Sequence, residues 1–435
     1  MKKIVASVGL VAVGVSGAFA GYAPGLSALD SSKAWSVSAS LRGFYDDNYL
    51  YSAVNERDSF GFEVSPSVRF NLPLDQTFLG ARYTYSGRYY EDRSKDYTIG
   101  GVKTDNDPWD HSHQFEFLLN HAFSERYSLD VRDSFVIAQE PEMLAPAGGA
   151  IAVPYKTEGD NIRNLGQIGF KAELTRLLGL SLGYKNVLWD YQNKNGTAVQ
   201  PSRSGLLDRI EHLASIDLSW QVLPETKASV GYKFGAVQYT SDEFAVVVPV
   251  VGPMKSDIRD NQSHYICAGV SHNFANNITA SASAGATYID YRNDRYNDDS
   301  WIPYANVSGS WTYATGSYLQ VGFLHSFNQT DTIRPDAAGK VTSSQETSTI
   351  FAMVNHQITP KLVGSVSAHY QNSEFQGGFY DSQSDQLFLL GLNLEYAITP
   401  HFAVEAGYNF DDLNSDGAHA GYDRNRIYLG VTASF

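Results

Sequence analysis

The chain has 435 residues, of which 43% are apolar, 13% aromatic and only 18% charged, with a formal charge of −15 and one cysteine. That much apolar surface excludes intrinsic disorder, and no stretch after residue 20 reaches the about 18 apolar residues that a spanning helix needs. The lone Cys267 excludes an intramolecular disulfide framework and a multi-cysteine metal centre; the acidic balance argues against nucleic acid, whose phosphates call for basic patches.

The N-terminus carries export chemistry. Met1-Lys2-Lys3 is a positive start, Ile4 to Val15 a mostly apolar run, and Ala18-Phe19-Ala20 an A-x-A cleavage pattern. The mature chain is therefore expected to begin at Gly21, with a charge of −17 after the loss of two lysines. Residues 1–20 are assigned to a signal peptide, 21–34 to a short periplasmic segment and 35–435 to one transmembrane barrel. An exported, aromatic-rich chain without helical spans is either a soluble β protein or an outer-membrane barrel.

The expected strands begin with Trp35 to Asp46. Next, Phe60, Phe62, Val64, Val68 and Phe70 alternate with Ser59, Gly61, Glu63, Ser65, Ser67 and Arg69. Side chains along a strand point to opposite faces, so each such run has one apolar and one polar face. Short turns are expected at 72–75, 124–126, 175–176, 223–226, 275–277, 314–316, 359–361 and 399–401, at intervals of 39 to 52 residues. Longer polar segments separate them, from 47–58 to 411–424. The same alternation returns in Phe388, Leu390, Leu392, Leu394, Tyr396 and Ile398. It also runs through Phe402, Val404, Ala406, Tyr408 and Phe410, and closes with Ile427, Leu429, Val431, Ala433 and Phe435.

Eight short turns define sixteen strands, and the first and last make eighteen. Short turns alternating with long loops are the outer-membrane pattern, turns periplasmic and loops extracellular. Aromatics and histidines just before the turns (His121 and Phe123, His272 and Phe274, Trp311 and Tyr313, His356 and Ile358) fit an interfacial girdle. The fold class is thus all-β: an antiparallel up-and-down barrel of about 18 strands. A soluble sandwich also alternates, but it would not end its last strand on an outward Phe at the final residue.

The C-terminal run Tyr428-Leu-Gly430-Val-Thr-Ala433-Ser-Phe435 resembles the signal read by the barrel-assembly machinery, which makes Tyr428, Gly430 and Phe435 the candidate assembly residues. More broadly, residues 34–435 resemble the putative β-barrel porin type 2 family. The resemblance is carried by Asp133-Ser-Phe-Val-Ile-Ala-Gln-Glu140-Pro141, by Asn164-Leu-Gly-Gln-Ile-Gly169 and by Tyr184-Lys-Asn-Val-Leu-Trp-Asp-Tyr191. It implies a single barrel and supplies no catalytic residue.

With the apolar faces in lipid, the other faces line the lumen. The candidate pore-lining residues are Arg42, Glu63, Arg69, Arg82, Arg88, Glu116, Asp130 and Arg132. Across all strands the lumen is expected to carry eleven bases against eight acids, a mildly basic interior. The five arginines are expected on one arc, with structural ion pairing among Arg42, Arg69, Arg82, Glu63 and Glu116 as the competing reading. Strands from Tyr265 to His369 are expected to face inward mainly with Ser, Thr, Gly and Asn, and Cys267 is read as a lone buried thiol. Rings of Arg or Lys favour anions.

Two loops are apolar where loops are normally polar: 141–154 and 244–254. They are candidates to constrict the mouth, to dock on each other or to bind a partner.

No H-E-x-x-H or P-loop occurs, and Asp46, Asp47, His111 and His113 are read as rim residues, so no enzymatic activity is expected. His121, His272 and His356 are read as turn or girdle residues. Asp412-Leu-Asn414-Ser-Asp416-Gly417 with Asp423 fits a weak calcium-loop pattern, against a plain surface turn. Asn293, Asp294, Asn297, Asp298 and Asp299 read as a solvated rim.

The sequence thus points to a porin or channel in the outer membrane of a Gram-negative-type bacterium, passing small polar solutes passively. The alternatives are a loop-closed structural or interaction barrel and an export channel for an anionic glycan. Expected partners are outer-membrane lipid, lipopolysaccharide, the assembly machinery with periplasmic chaperones, and small solutes.

Overall fold

The alternation closes on itself. In the computed structural model, eighteen antiparallel strands form one barrel, each hydrogen-bonded to its chain neighbour and the last to the first. The structure describes residues 33–54, 56–94, 98–99, 102–103, 107–138, 160–194, 196–197, 201–248, 251–292, 299–418 and 421–435. The signal peptide, the 141–154 loop and residues 293–298 lie outside these.

The first six strands are β1 (Trp35–Asp46), β2 (Ser59–Pro73), β3 (Thr77–Tyr90), β4 (Trp109–Ala122), β5 (Tyr127–Ala138) and β6 (Asn161–Glu173). Next come β7 (Leu178–Tyr191), β8 (Arg209–Leu223), β9 (Thr226–Tyr239), β10 (Asn261–Ala275), β11 (Ile278–Tyr291) and β12 (Ser300–Ala314). The last are β13 (Ser317–Gln329), β14 (Ser344–Thr359), β15 (Leu362–Gln376), β16 (Ser384–Thr399), β17 (Phe402–Ser415) and β18 (Tyr422–Ser434). At 12 to 16 residues and roughly 3.3 Å per residue, a tilted strand spans an apolar belt of about 25 Å. All eight expected short turns connect strands where the spacing put them.

Two of those turns share a chemistry. The hydroxyl of Thr359 accepts from the amides of Lys361 and Leu362 (3.3 and 3.0 Å), and that of Thr399 from His401 and Phe402 (3.2 and 3.1 Å). The side chain thus satisfies amides that the ladder leaves open at the turn.

The outward set is apolar and exposed: Trp35, Leu41, Phe60, Val230, Ile266, Ile427 and Leu429 are examples. A soluble protein would cover this surface, whereas a bilayer solvates it. Toward the long-loop end the outward face carries four Tyr–His pairs, each joined hydroxyl to Nδ1: Tyr83–His113 (2.9 Å) and Tyr85–His111, Tyr184–His212 and Tyr232–His264 (2.8 Å each). At the short-turn end His121 bonds Thr77 (2.7 Å) and packs on Phe123, and His272 bonds Thr226 (2.8 Å) and packs on Phe274. His356 bonds Tyr313 (3.0 Å). Imidazoles and phenols with an apolar body and a polar tip suit the two interfaces. Asp133, mid-strand in β5, faces outward with a charge and accepts from the Asn164 amide at 3.2 Å.

Inward glycines lie opposite large rings. Gly61 faces Phe44, Gly322 faces Phe351 and Gly407 faces Tyr428 in register. A Cβ on Gly407 would come within 2.2 Å of the Tyr428 ring, so each glycine makes the space its partner's ring fills.

Candidate functional site

The site is the lumen, and it has two unlike walls. On the first, strands β1 to β4 and β16 to β18 bring charges into cross-strand register. Arg42 stands opposite Glu63 on one side and Gly430 on the other, and Glu405 also pairs with Gly430. The Arg42 side chain crosses the bare glycine to reach Glu405 (Nε–Oε1 2.7 Å) and approaches Glu63 at 3.5 Å. Glu63 also holds Arg88 at 2.8 Å. Arg82 pairs with Glu116, with Arg69 beside it in register. At the upper end Asp46, fully buried, takes Arg424 (2.5 Å) and Arg426 (2.8 Å).

Arg42, Arg69, Arg82, Arg88 and Arg132 all stand on the inward parity of β1 to β5, and Arg42, Arg82 and Arg88 are held in ion pairs. Arg132 is exposed to the lumen, and Asp130 lies against Gly169. Asp46, Asp110, Asp385 and Asp411 also belong to the inward set, as do two further bases, Arg424 and Lys227. Added to the eleven bases and eight acids of the strand count, these give thirteen bases against twelve acids in the described strands. The four acids stand near the long-loop ends, Asp110 and Asp411 in segments expected as loops and Asp46 in one read as rim.

The second wall corrects another expectation. Strands β10 to β14 do present Ser, Thr and Asn, but they also place Cys267, Tyr304, Leu324 and Phe351 in one buried cluster with Tyr265 against it. Ile289, Tyr291, Ile302 and Phe327 form a second. Side chains three strands apart touch here. The Lys233 ammonium of β9 meets the Tyr304 hydroxyl of β12 (3.3 Å), Asn261 of β10 donates to Gln329 of β13 (3.1 Å), and Tyr291 of β11 to Ser344 of β14 (2.8 Å). Three strand spacings amount to about 14 Å along the wall, so these contacts cut across the lumen and narrow it.

The mouth above this wall is roofed by loops. A short helix α1 (Arg203–Leu207) is capped by Ser202, whose hydroxyl accepts from Gly205 N (2.8 Å). Phe244–Val248 pairs with Gly252–Lys255 in a hairpin, followed by a helical turn at Ser256–Arg259. Val246, Val248 and Ile258 bury against Val341, with Met254 and Ile333 alongside. The apolar 244–254 segment therefore docks on the 331–341 loop; its suggested partner, 141–154, lies outside the described residues.

Arg259 ties this roof together. Fully buried, it donates to the carbonyls of Leu206 and Thr330 (3.0 Å for the latter) and to the Ser256 hydroxyl (3.1 Å), and it lies 4.2 Å over the Tyr239 ring. Two carboxylates hold the loop ends to the strands. Asp208 accepts from Tyr191 N (2.7 Å) and Asp260 from Tyr239 N (2.8 Å). Burial raises the Asp208 carboxyl above its usual range and pushes Asp260 up to about 6, with Asp257 adding to the latter shift.

The remaining candidates are placed as follows. Asp412 and Asn414 lie on β17 rather than in a loop, Asp412 faces Asp423 across the ladder, and the Asp416 carboxylate accepts from Ser384 (3.0 and 2.9 Å). The calcium-loop pattern is thus spent on strand pairing, and no cluster of three or more His, Cys, Asp or Glu suited to a metal occurs among the described residues. Asp46 points into the lumen while His111 and His113 point outward to tyrosines, so these do not meet. Asp47 instead accepts from Asn425 N (2.6 Å). Tyr428 faces the lumen beneath Arg42. Phe435 stacks on His401 and closes the seam, exchanging amide bonds with Val37 (2.9 and 3.1 Å).

Missing from the sequence reading were the Tyr–His pairs, Arg259 and the aromatic inner cluster. Outward Tyr and His on neighbouring strands, two residues apart in register, were visible in principle; the convergence of loops on Arg259 was not.

A closed antiparallel barrel with an apolar belt, a polar interior, short turns at one end and long loops at the other is the architecture of the outer-membrane porins and receptors. The model of the family described as "Putative beta-barrel porin 2" matches residues 149–435, and the chain belongs to that family. Among curated proteins none matches. Solved structures with a similar barrel include OccAB4 of Acinetobacter baumannii (14% identity, TM-score 0.43, 93% of this chain and 99% of that one). Others are opdK of Pseudomonas aeruginosa (11%, 0.42, 92% and 99%) and the siderophore receptor PiuA of A. baumannii (10%, 0.47, 93% and 82%).

Proposed function

We propose that this chain is an outer-membrane channel through which small polar solutes diffuse passively. The observation that carries it is the closed eighteen-strand wall, apolar outside and polar within. A barrel of that size encloses an aqueous lumen unless something fills it. Membership of a porin family supports the same reading. Arg42, Arg82, Arg88, Arg424 and Arg426 are tied up in ion pairs on the first wall, so solute choice falls to the narrowed side beneath the roof, where Lys233 and Lys185 lie.

The docked loops favour one second reading, a barrel closed from outside and used as a surface structure. Reconstitution of the purified protein in planar bilayers separates the two. Stepwise conductance is expected of a channel, and its absence at every applied voltage is expected of a closed barrel.

A further inference from the structure

Under the roof, between β7 to β10, β12 and β13, lies a cavity of about 120 Å³. Its walls are apolar for the most part, with Val187, Leu213, Val237 and Leu324 on them and the rings of Tyr265 and Tyr304 beside Lys233. The Lys233 ammonium sits 4.7 Å over the Tyr304 ring and 5.9 Å from that of Tyr265, at the edge of the space, and Lys185 lines it as well. Of the nearby carboxylates, Glu211 is held by Arg209 (2.8 Å), and Asp217 lies in the field of Lys233. Three cations thus meet two carboxylates, an excess of one positive charge in a niche of low polarity.

That balance selects a ligand. A cation is repelled, and a dianion brings one charge more than the niche compensates. A neutral polar molecule leaves apolar walls unmatched. An apolar cavity of about 150 Å³ takes up benzene, so this one holds a single ring or a branched chain of about five carbons. We propose that the lumen contains a subsite for small monocarboxylates with a compact apolar body, which pause there on the way through. The proposal rests on the channel reading for its physiological sense, but the subsite itself can be tested separately.

The test uses the purified full-length barrel with benzoate as probe, acetate as the same charge without the body, and benzamide as the same body without the charge. In isothermal titration, benzoate should bind saturably, with acetate and benzamide about tenfold weaker or more. Removing the cation with Lys233→Met should raise the benzoate Kd about tenfold, the loss of one charge-assisted contact. Ser263→Phe, which fills the cavity and keeps both lysines, should abolish saturation. Using two variants keeps the test alive if one fails to fold.

Benzoate binding no tighter than acetate and benzamide overturns the subsite, as does wild-type affinity in both variants. In parallel bilayer recordings, conductance without benzoate saturation removes the subsite and leaves the channel. Saturable benzoate binding without conductance keeps the subsite and removes the channel.

Discussion

Arg82 and Glu116 stand in register across β3 and β4, each almost buried. A buried pair repays its desolvation only while both partners remain. Arg82→Met alone is expected to destabilise the barrel by about 3 kcal/mol, because Glu116 stays buried without its paired guanidinium. Arg82→Met with Glu116→Leu should recover most of that loss. Urea unfolding of the refolded barrel in lipid vesicles measures both; equal losses in the single and double variants would show that the pair does not act as a unit. At this scale strand parity was legible in the sequence, since period two assigns a face without knowledge of the fold. The pairing was not: whether Arg42 reaches Glu63 or also Glu405, 363 residues away, depends on how β18 registers against β1. Gly430 was legible as part of a terminal motif, but not as the gap that lets Arg42 cross to Glu405.

The closing strand and the roof are the two elements on which assembly and passage turn. Phe435 contributes an exposed ring and one pair of amide bonds at the seam, little packing for a residue at the end of the barrel. Its deletion, or Phe435→Asp, is expected to lower the yield of heat-modifiable barrel in cells while leaving refolding of purified protein in vesicles nearly unchanged. Equal losses in both assays would assign the residue to packing instead of to recognition.

The roof carries a proton-linked term. The Asp260 carboxyl is raised from 3.8 to about 6 in the folded roof, and Asp208 moves the same way. A carboxyl raised on folding favours the packed roof in its protonated form, so that contribution is full at low pH and is lost as pH rises from about 4 to 6. Channel conductance is therefore expected to fall as the loop-side pH drops from 7 to 4.5, and Arg259→Leu, which unties the roof, should raise conductance at pH 7. A conductance that rises on acidification, or an unchanged Arg259→Leu channel, contradicts this. The strand and turn elements were legible because Pro, Asn, Gly and Thr mark them locally. The roof was not, because buried contacts between loops far apart in sequence follow from where the strands bring their ends.

For the molecule as a whole, an even number of strands puts both ends of the barrel at the short-turn side, and the long loops at the other. A tag inserted at 250 is expected to label on intact cells and one at 360 only after the outer membrane is opened. Labelling of the 360 tag on intact cells would invert the barrel. Strand count, turn positions and closure were all legible in the sequence, since each depends on a repeated local pattern. The lumen's charge was legible only in part, because four of its acids lie where strands run on above the belt. A water-filled path through this wall would carry ions, and the current through single purified barrels in a planar bilayer reads it. Discrete steps that scale with salt, with a reversal potential near zero at high salt because the ions screen the inward charges, are the expected result. A membrane loaded with folded, heat-modifiable barrel that shows no steps, with wild-type and Arg259→Leu protein alike, would contradict it.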